Sequence, residues 1–340
     1  MQVFVPIINA DSGNAVYFRD LQRELGRRAV TIEFAQFPPV LECIPGFARA
    51  ISYFRYCSDH FDLVHSNADY GLAFKCSGKP FVVTVHHNVF DDHYQNFTSL
   101  AQKAYYSGLL KRRVEKVLKG ADRVVCVSQY TKSTVEQTFG AVKVQVIYNG
   151  IDTDLFRPVQ MQTVDEFAGK IRLLFVGNLI KRKGADLLPV IMEKLGSDYV
   201  LFYTAGLRTQ TTFKAPNMVM RVAKSRENLV SLYNSCDVFL FPSRLEGFGY
   251  AVAEAMACGK PIVCTDGSSL SELVVNEKGG LLCRMDDVDD FVDKIRFLGA
   301  RPELRQSHGT FNRDRIVNEF SVARMGRDYS AFYRSVLTSY

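Results

Sequence analysis

At 340 residues, 47% hydrophobic and 23% charged, the chain is long enough for two ordinary domains and too apolar to be disordered. A net charge of +6 is too mild for nucleic-acid wrapping and leaves an anionic substrate or an anionic membrane surface as partners. No apolar run approaches the ~20 residues of a membrane span, and the eight cysteines lack C-x-x-C spacing, so reduced buried thiols in a cytoplasmic protein are expected, with no metal site.

The first residues carry neither a basic segment nor a small-residue cleavage site, so they read as a strand, Val3–Ile8, and not as a signal peptide. A polar loop containing Gly13 leads into a helical pattern over Ala15–Leu25. The G-x-G-x-x-G fingerprint is missing, which counts against a nicotinamide dehydrogenase. Strands are expected at Val30–Phe34, Phe61–His65 and Phe81–Val85, a helix at Leu41–Tyr56 and a short one at Asp69–Ser77. His86 follows the third of these strands directly. Ligands of open α/β sheets bind beyond strand carboxyl ends, although an isolated histidine there equally fits a backbone hydrogen bond.

Residues 97–120 predict a long basic helix, with Lys103, Lys111, Arg112, Arg113, Lys116 and Lys119 against Tyr105, Tyr106, Leu109, Leu110, Val114, Val117 and Leu118. Such a helix either covers a packed face with solvated charge or lies on anionic lipid. A strand over Arg123–Ser128, a helix from about Tyr130 and a strand over Val144–Ile147 follow, ending at the Asn149-Gly150 turn. Residues 159–170 read as a linker, and Ile171–Val176 opens a second β/α series. That strand exits into Lys181-Arg182-Lys183-Gly184, an anion attractor when set beside a helix start. Further strands are expected at Tyr199–Ala205 and Met218–Val222, then a helix over Asn228–Asn234.

The densest signal lies at 237–264. Val238–Phe241 is a short apolar strand stopped by Pro242, and Gly247 and Gly249 bracket a loop into a helix over Tyr250–Cys258. Gly259 ends that helix, and Pro261 leads into the strand Ile262–Cys264. Strand, glycine loop and helix N-terminus together form an anion site, through free N–H groups and the positive end of the helix dipole. Glu246 precedes the loop. Glu254 is the one charge on an otherwise apolar helix, so it needs either a core cation or a pocket of hydrogen-bond donors. Gly279–Cys283 reads as a last strand, and Asp286–Leu298 and Phe320–Leu337 as closing helices.

Phe-Pro-Ser-x-x-Glu-Gly-Phe-Gly-(x4)-Glu-Ala, followed by Gly-x-Pro, resembles the E-x7-E signature of family 4 glycosyltransferases. The resemblance extends over nearly the whole chain: Pro80 to His86 fits Pro-x-x-x-Thr-x-His, and Phe156-Arg157-Pro158 fits the exit from the first domain. It implies a GT-B fold, with Rossmann-like parallel-sheet domains at 1–157 and 158–320 facing an interdomain cleft and a C-terminal helix, 321–340, returning to the first. It implies a retaining, metal-independent transferase that takes a nucleotide-sugar, a UDP- or GDP-sugar, as its donor substrate and needs no cofactor. The acceptor would be a lipid-linked or oligosaccharide hydroxyl in cell-surface polysaccharide or lipopolysaccharide synthesis, on the cytoplasmic side and peripheral at the inner face of the plasma membrane. The alternatives are a nucleotide-sugar epimerase or a non-catalytic sugar-nucleotide-binding protein of the same fold.

Carried over position by position, the resemblance places Glu246 beside the donor sugar, Glu254 on the ribose and the backbone near Arg221 and Val222 at the base. It places His86 and Gly13 at the donor from the N-terminal side. Lys183 and the amides of Gly247, Phe248 and Gly249 meet the diphosphate. The family's arginine position holds Asn178 here, so Arg182 is assigned its guanidinium role. His87 stands where the family often has Asp.

Overall fold

The computed structural model describes residues 1–8, 13–37, 60–140, 143–160, 166–206 and 213–340. The helix expected over Leu41–Tyr56 and the loop residues before Gly13 lie outside them. In chain order the strands are β1 Gln2–Ile8, β2 Thr31–Phe37, β3 Leu63–Asn67, β4 Phe81–Val85, β5 Arg123–Cys126, β6 Val144–Val146, β7 Ile171–Phe175, β8 Tyr199–Tyr203, β9 Met218–Met220, β10 Val238–Phe241, β11 Ile262–Thr265 and β12 Gly280–Cys283. The helices of eight residues or more are α1 Gly13–Gly26, α2 Lys111–Gly120, α3 Gln129–Phe139, α4 Leu188–Leu195, α5 Arg226–Ser235, α6 Tyr250–Ala257, α7 Val288–Gly299, α8 Pro302–Glu319 and α9 Val322–Thr338. No described helix is long and apolar enough to cross a membrane.

The chain divides into two units, Met1–Gly150 with Val322–Tyr340, and Ile151–Ser321. The first holds a six-stranded sheet of order β2-β1-β3-β4-β5-β6, parallel throughout. β4 is buried at every position, so it reads as an unbroken β-branched and aromatic run with no alternation. One face packs Phe4, Val64, Phe81 and Val83 against Val114, Val117 and Leu118 of α2. The other packs Val3, Val5, Leu63 and Val82 against Tyr17, Phe18 and Leu21 of α1 and Met325, Tyr329, Phe332 and Tyr333 of α9. A polar chain threads that second layer. His65 bonds Tyr333 Oη through Nδ1 at 2.6 Å and Thr84 Oγ1 through Nε2 at 2.7 Å, and Tyr17 donates to Tyr329.

His65 is fully buried, and burial followed by the charge of His86 pushes its pKa down to about 3. The folded value lies below the unfolded one. Below about pH 6.5 the unfolded chain therefore takes up a proton that the folded chain refuses, and stability falls with pH down to about 3. Urea unfolding followed from about pH 7 to about pH 5 should show this loss approaching 1.4 kcal/mol per pH unit from His65. The slope should be shallower in His65→Gln, which keeps hydrogen-bonding capacity and cannot titrate.

The second unit holds a six-stranded parallel sheet of order β12-β11-β10-β7-β8-β9. The chain runs outward from β7 to β8 and β9, then returns to the other side of β7 to lay down β10, β11 and β12. This is the doubly wound Rossmann order, and its reversal falls between β7 and β10. Ile151–Arg157 belongs to this unit: Phe156 is fully buried with its ring 6.1 Å from Tyr233, and Arg313 bonds the carbonyls of Thr153 and Phe156 at 3.0 and 2.8 Å.

Two sequence expectations change. The helix expected over 97–120 forms without a break from Leu100 to Gly120, but its winding changes inside it. Leu100–Tyr105 is α-helical, Tyr106–Leu110 forms a wide π turn, and only α2 beyond it buries a full apolar face. Reduced thiols hold for Cys126, Cys236, Cys258, Cys264 and Cys283, which are free and buried, whereas Cys76 is disulfide-bonded.

Helix α8 has no counterpart in the periodicity because, beside Ile316, the residues it buries are polar or small: His308, Gly309 and Asn312. Asn312 donates to the carbonyls of Lys260 and Gly279 at 2.8 and 2.6 Å, and a Cβ on Gly309 would stand 2.1 Å from the Gly259 carbonyl. Backbone contact and amide bonding, which carry no hydrophobic signal, dock this helix.

Candidate active site

β7 and β10 are neighbours, so their exits open side by side at the switch point. Beyond β7, Lys181–Lys183 forms one 3₁₀ turn, closed by Gly184 in the left-handed region at φ 69°. A Cβ there would meet the Pro242 carbonyl at 2.0 Å, so glycine is what lets the basic turn lie against the exit of β10.

That contact delivers the basic turn to the acid. Lys183 Nζ donates to Glu246 Oε1 at 2.5 Å, and Arg182 Nη1 lies 3.8 Å from the same oxygen while donating to the Leu245 carbonyl at 2.5 Å. Ser243 Oγ donates to Glu246 Oε1 at 2.7 Å. The Glu246 backbone is fixed from the loop after β11: its N–H donates to Ser268 Oγ at 3.1 Å, and its carbonyl accepts from Ser269 Oγ at 3.1 Å. Burial alone would raise the Glu246 pKa. The charges of Lys183 and Arg182, with hydrogen bonds from Lys183 and Ser243, outweigh it and hold the carboxyl below the usual range. The site therefore keeps an ionised carboxylate and two cations in close contact, 7% of Glu246 remaining exposed.

Arg244 locks these loops together. Its buried guanidinium pairs with Asp186 at 2.7 and 2.9 Å and Asp286 at 2.5 Å, and donates to the Lys181 carbonyl. Burial would lower the Arg244 pKa, but the hydrogen bonds it donates to both aspartates raise it on balance. One side chain thus ties the basic turn, the acidic loop and the loop after β12.

Gly249 caps α6 at φ 96°, where a Cβ would press on Leu270 at 2.9 Å. The amides of Gly247, Phe248 and Gly249 lead into the helix start, and Phe248 is buried. Glu254 is half-buried on α6 and accepts from Tyr233 Oη of α5 at 2.8 Å. Tyr233 is fully buried, and burial followed by the Glu254 charge pushes its phenol well above the ordinary range, so it stays a hydrogen-bond donor. Val222 is 67% exposed and lines a cavity of about 380 Å³ with Gly177, Asn178, Thr204, Gly206 and Arg221. Asn178 thus sits on the cavity wall, its Oδ1 1.9 Å from where a Cβ on Gly206 would stand. Arg182 is the guanidinium beside Lys183.

In the first unit, His86 follows β4 and its Nε2 meets Asn67 Oδ1 at 3.2 Å, with its ring edge-on to Tyr17 at 4.9 Å. Burial, then the charge of His87, pushes the His86 pKa down to about 3, so it is a neutral imidazole. With Asn67 Oδ1 accepting, Nε2 carries the proton and Nδ1 is an acceptor. Gly13 opens α1. Sequence reasoning missed Ser243, Ser268, Ser269, Tyr233 and Arg244. Of these only Ser243 left a local signal, in Phe-Pro-Ser. No group of three or more potential metal ligands occurs among the described residues.

Residues 156–315 match the family model for glycosyl transferases group 1, and residues 5–155 match that for glycosyltransferase family 4. The lipopolysaccharide core biosynthesis mannosyltransferase LpsB of Rhizobium meliloti is 30% identical over 71% of this chain and 72% of its own length. The uncharacterized glycosyltransferase MJ1178 of Methanocaldococcus jannaschii is 29% identical over 56% of this chain. The matches span 53% of MJ1178, and 64% and 46% of two further relatives, an alpha-maltose-1-phosphate synthase and the capsular polysaccharide glycosyltransferase CapM. Among solved structures, sucrose-phosphate synthase from Thermosynechococcus elongatus superposes with a TM-score of 0.88 at 19% identity over 100% of both chains. Anabaena HepE, solved with UDP-glucose, gives 0.77 at 16% identity over 98% of this chain and 100% of its own. At these identities the structures speak for the fold alone. With both units accounted for by family models and a relative aligned over most of its length, the chain belongs to the family 4 glycosyltransferases and has their GT-B fold.

Proposed function

We propose that the chain transfers a glycosyl group from a nucleoside-diphosphate sugar to a hydroxyl of a lipid-linked or oligosaccharide acceptor, with retention at the anomeric carbon. The observation that carries the reading is the cluster of Lys183, Arg182 and Glu246 at the switch point of a Rossmann-type sheet. LpsB, a lipopolysaccharide core biosynthesis mannosyltransferase, supports a place in cell-surface glycan assembly, and HepE, a protein of the same fold, was crystallised with UDP-glucose.

The physical task is the departure of a nucleoside diphosphate, which gains negative charge as the sugar becomes oxocarbenium-like. Lys183, Arg182 and the amides of Gly247, Phe248 and Gly249 are assigned to that charge, as preorganised groups that need no reorientation when it develops. Two side-chain cations make a divalent metal unnecessary in this reading, so chelation should leave turnover unchanged. Glu246 takes sugar hydroxyls, Glu254 the ribose and the backbone at Val222 the base. His86 Nδ1 is assigned to a sugar hydroxyl and Gly13 to the donor by the resemblance.

A thermal-shift series with UDP-, GDP-, ADP- and CMP-sugars tests the reading, because a ligand stabilises according to its affinity. One nucleoside-diphosphate sugar should raise the melting temperature, and NMR of the product formed with acceptor should show the donor's anomeric configuration. A shift from none of these sugars overturns the reading. Product formed without acceptor points to an epimerase, and binding without product to a non-catalytic protein.

Tyr233 carries a further consequence. Its hydroxyl fixes the Glu254 carboxylate, and a hydrogen bond to a charged group is worth about 1.5–3 kcal/mol. Tyr233→Phe should raise the donor KM roughly tenfold or more with a smaller change in kcat, measured by steady-state kinetics at saturating acceptor.

A further inference from the structure

We propose that Ser268 and Ser269 are positioning residues that set the Glu246 carboxylate against the donor sugar, a role that rests on the transfer reaction proposed above. Both lie in the turn that follows β11. Ser268 has φ 50°. In that left-handed region an L side chain is crowded, and glycine is the residue that adopts it freely. A strained serine at such a point implies a task for its hydroxyl, and the structure supplies one. Ser268 Oγ accepts the Glu246 N–H at 3.1 Å, and Oγ of Ser269, itself buried, donates to the Glu246 carbonyl at 3.1 Å. The peptide groups on both sides of the Glu246 Cα are thereby held.

The carboxylate, in contrast, is tied at one oxygen. Oε1 takes Lys183 Nζ at 2.5 Å and Ser243 Oγ at 2.7 Å, whereas Oε2 accepts no hydrogen bond from a described residue. With the backbone fixed at one end and Oε1 at the other, the place of Oε2 is determined, and it is the oxygen left for a sugar hydroxyl. The same turn braces the helix after the acidic loop. Leu270 stands 2.9 Å from where a Cβ on Gly249 would be, and Ser271 Oγ closes the turn on Asp266 Oδ1 at 2.7 Å. A glycine at 268 would give this turn with less strain, but the Glu246 N–H would lose its acceptor.

The experiment compares Ser268→Gly, Ser269→Ala and Glu277→Gly in the full chain. Glu277 has φ 63°, is exposed and makes no side-chain hydrogen bond or ion pair, so its glycine variant relieves a left-handed residue and removes nothing from the site. It should melt at or above the wild-type temperature. At saturating acceptor, Ser268→Gly and Ser269→Ala should each lower kcat roughly tenfold, because a displaced group costs rate even where binding persists. Donor KM should move about twofold or less, since base, ribose and diphosphate are assigned to other groups. Tyr233→Phe, which acts at the ribose, should show the opposite split, and Glu277→Gly should change neither constant. By NMR, the Glu246 amide should exchange with deuterium faster in Ser268→Gly than in wild type or Glu277→Gly, a measurement that needs no donor. Unchanged exchange overturns the proposal. Wild-type kcat in either serine variant, beside an active wild-type chain, overturns the positioning role and leaves the transferase reading standing, as does an equal loss of kcat in Glu277→Gly. If Ser268→Gly fails to fold, Ser269→Ala decides by the same split. A wild-type chain that transfers no sugar overturns the transferase reading and this role with it.

Discussion

Under the proposed function, Lys183→Ala should lower turnover by about 10²- to 10³-fold. The side chain is the cation in direct contact with Glu246, and Arg182, 3.8 Å from that carboxylate, is already turned onto the Leu245 carbonyl. The proposed leaving diphosphate would lose its best-placed positive charge, and the remaining guanidinium would have to leave a backbone bond to compensate. The same substitution strands Glu246, which is buried and held ionised largely by Lys183. Breaking a buried pair from one side typically costs about 3–5 kcal/mol; here the cost should fall at or below the lower figure, because Ser243 and Arg182 still face the carboxylate. Stability and activity then separate in the double variant. Lys183→Ala with Glu246→Ala removes both charges, so the melting temperature should recover part of what the single change lost, while turnover stays at or below the single variant's level. Wild-type turnover in Lys183→Ala removes the residue from the mechanism. Recovery of turnover in the double variant would show that the pair is only structural.

The same contact has a pH signature. The folded pKa of Glu246 is lowered, so its ionised pair contributes stability above the unfolded carboxylate value and loses it as pH falls through the folded one. His65 acts over a higher range, with unfolded and folded values of about 6.5 and about 3. The Glu246 pair therefore contributes only to an acid limb below about pH 4.5, whereas a limb beginning near pH 6 belongs to buried histidines, His65 and His86 in the first unit and, in the same direction, His308 in the second.

The strands and most helices were legible because burial on both faces writes a parallel strand as an apolar run, and Gly and Pro mark where it stops. The acidic loop and the basic turn were legible as local strings. Their adjacency was not, since it depends on β10 returning beside β7 across the reversal in strand order, and no window of sequence contains both. Tyr233 and Arg244 were invisible for the same reason: each looks ordinary until the fold supplies Glu254 in one case and Asp186 and Asp286 in the other. Helix α8 escaped because periodicity detects apolar faces, and its buried side is built around Asn312, His308 and Gly309. The π turn was missed because it leaves the amphipathic composition intact and changes only which residues point inward.

The second large effect lies in a glycine with no chemistry of its own. Gly184→Ala should destabilise the second unit by about 3 kcal/mol or more, lowering its melting temperature by roughly 6–12 °C. Two costs combine. At φ 69° an alanine pays about 1–2 kcal/mol for the left-handed conformation. Its Cβ would also stand 2.0 Å from the Pro242 carbonyl, a backbone atom on a buried strand exit that has no room to retreat. Gly196→Ala separates the two costs. Gly196 has φ 81° and ψ −160° at the end of α4, a region costlier for alanine than the left-handed one Gly184 adopts, and nothing lies within 4 Å of its Cβ position, so only a conformational cost, and the larger one, applies there. The excess of Gly184→Ala over Gly196→Ala, measured by denaturant unfolding, is therefore a lower bound on the free energy of forcing the basic turn off β10. That displacement also moves Lys183 away from Glu246, so Gly184→Ala should lose turnover at temperatures where it remains folded, whereas Gly196→Ala should keep it. A loss in Gly184→Ala of no more than the roughly 1–2 kcal/mol of the left-handed conformation would mean that the close approach of the turn to Pro242 contributes nothing, and that Lys183 and Glu246 meet without it.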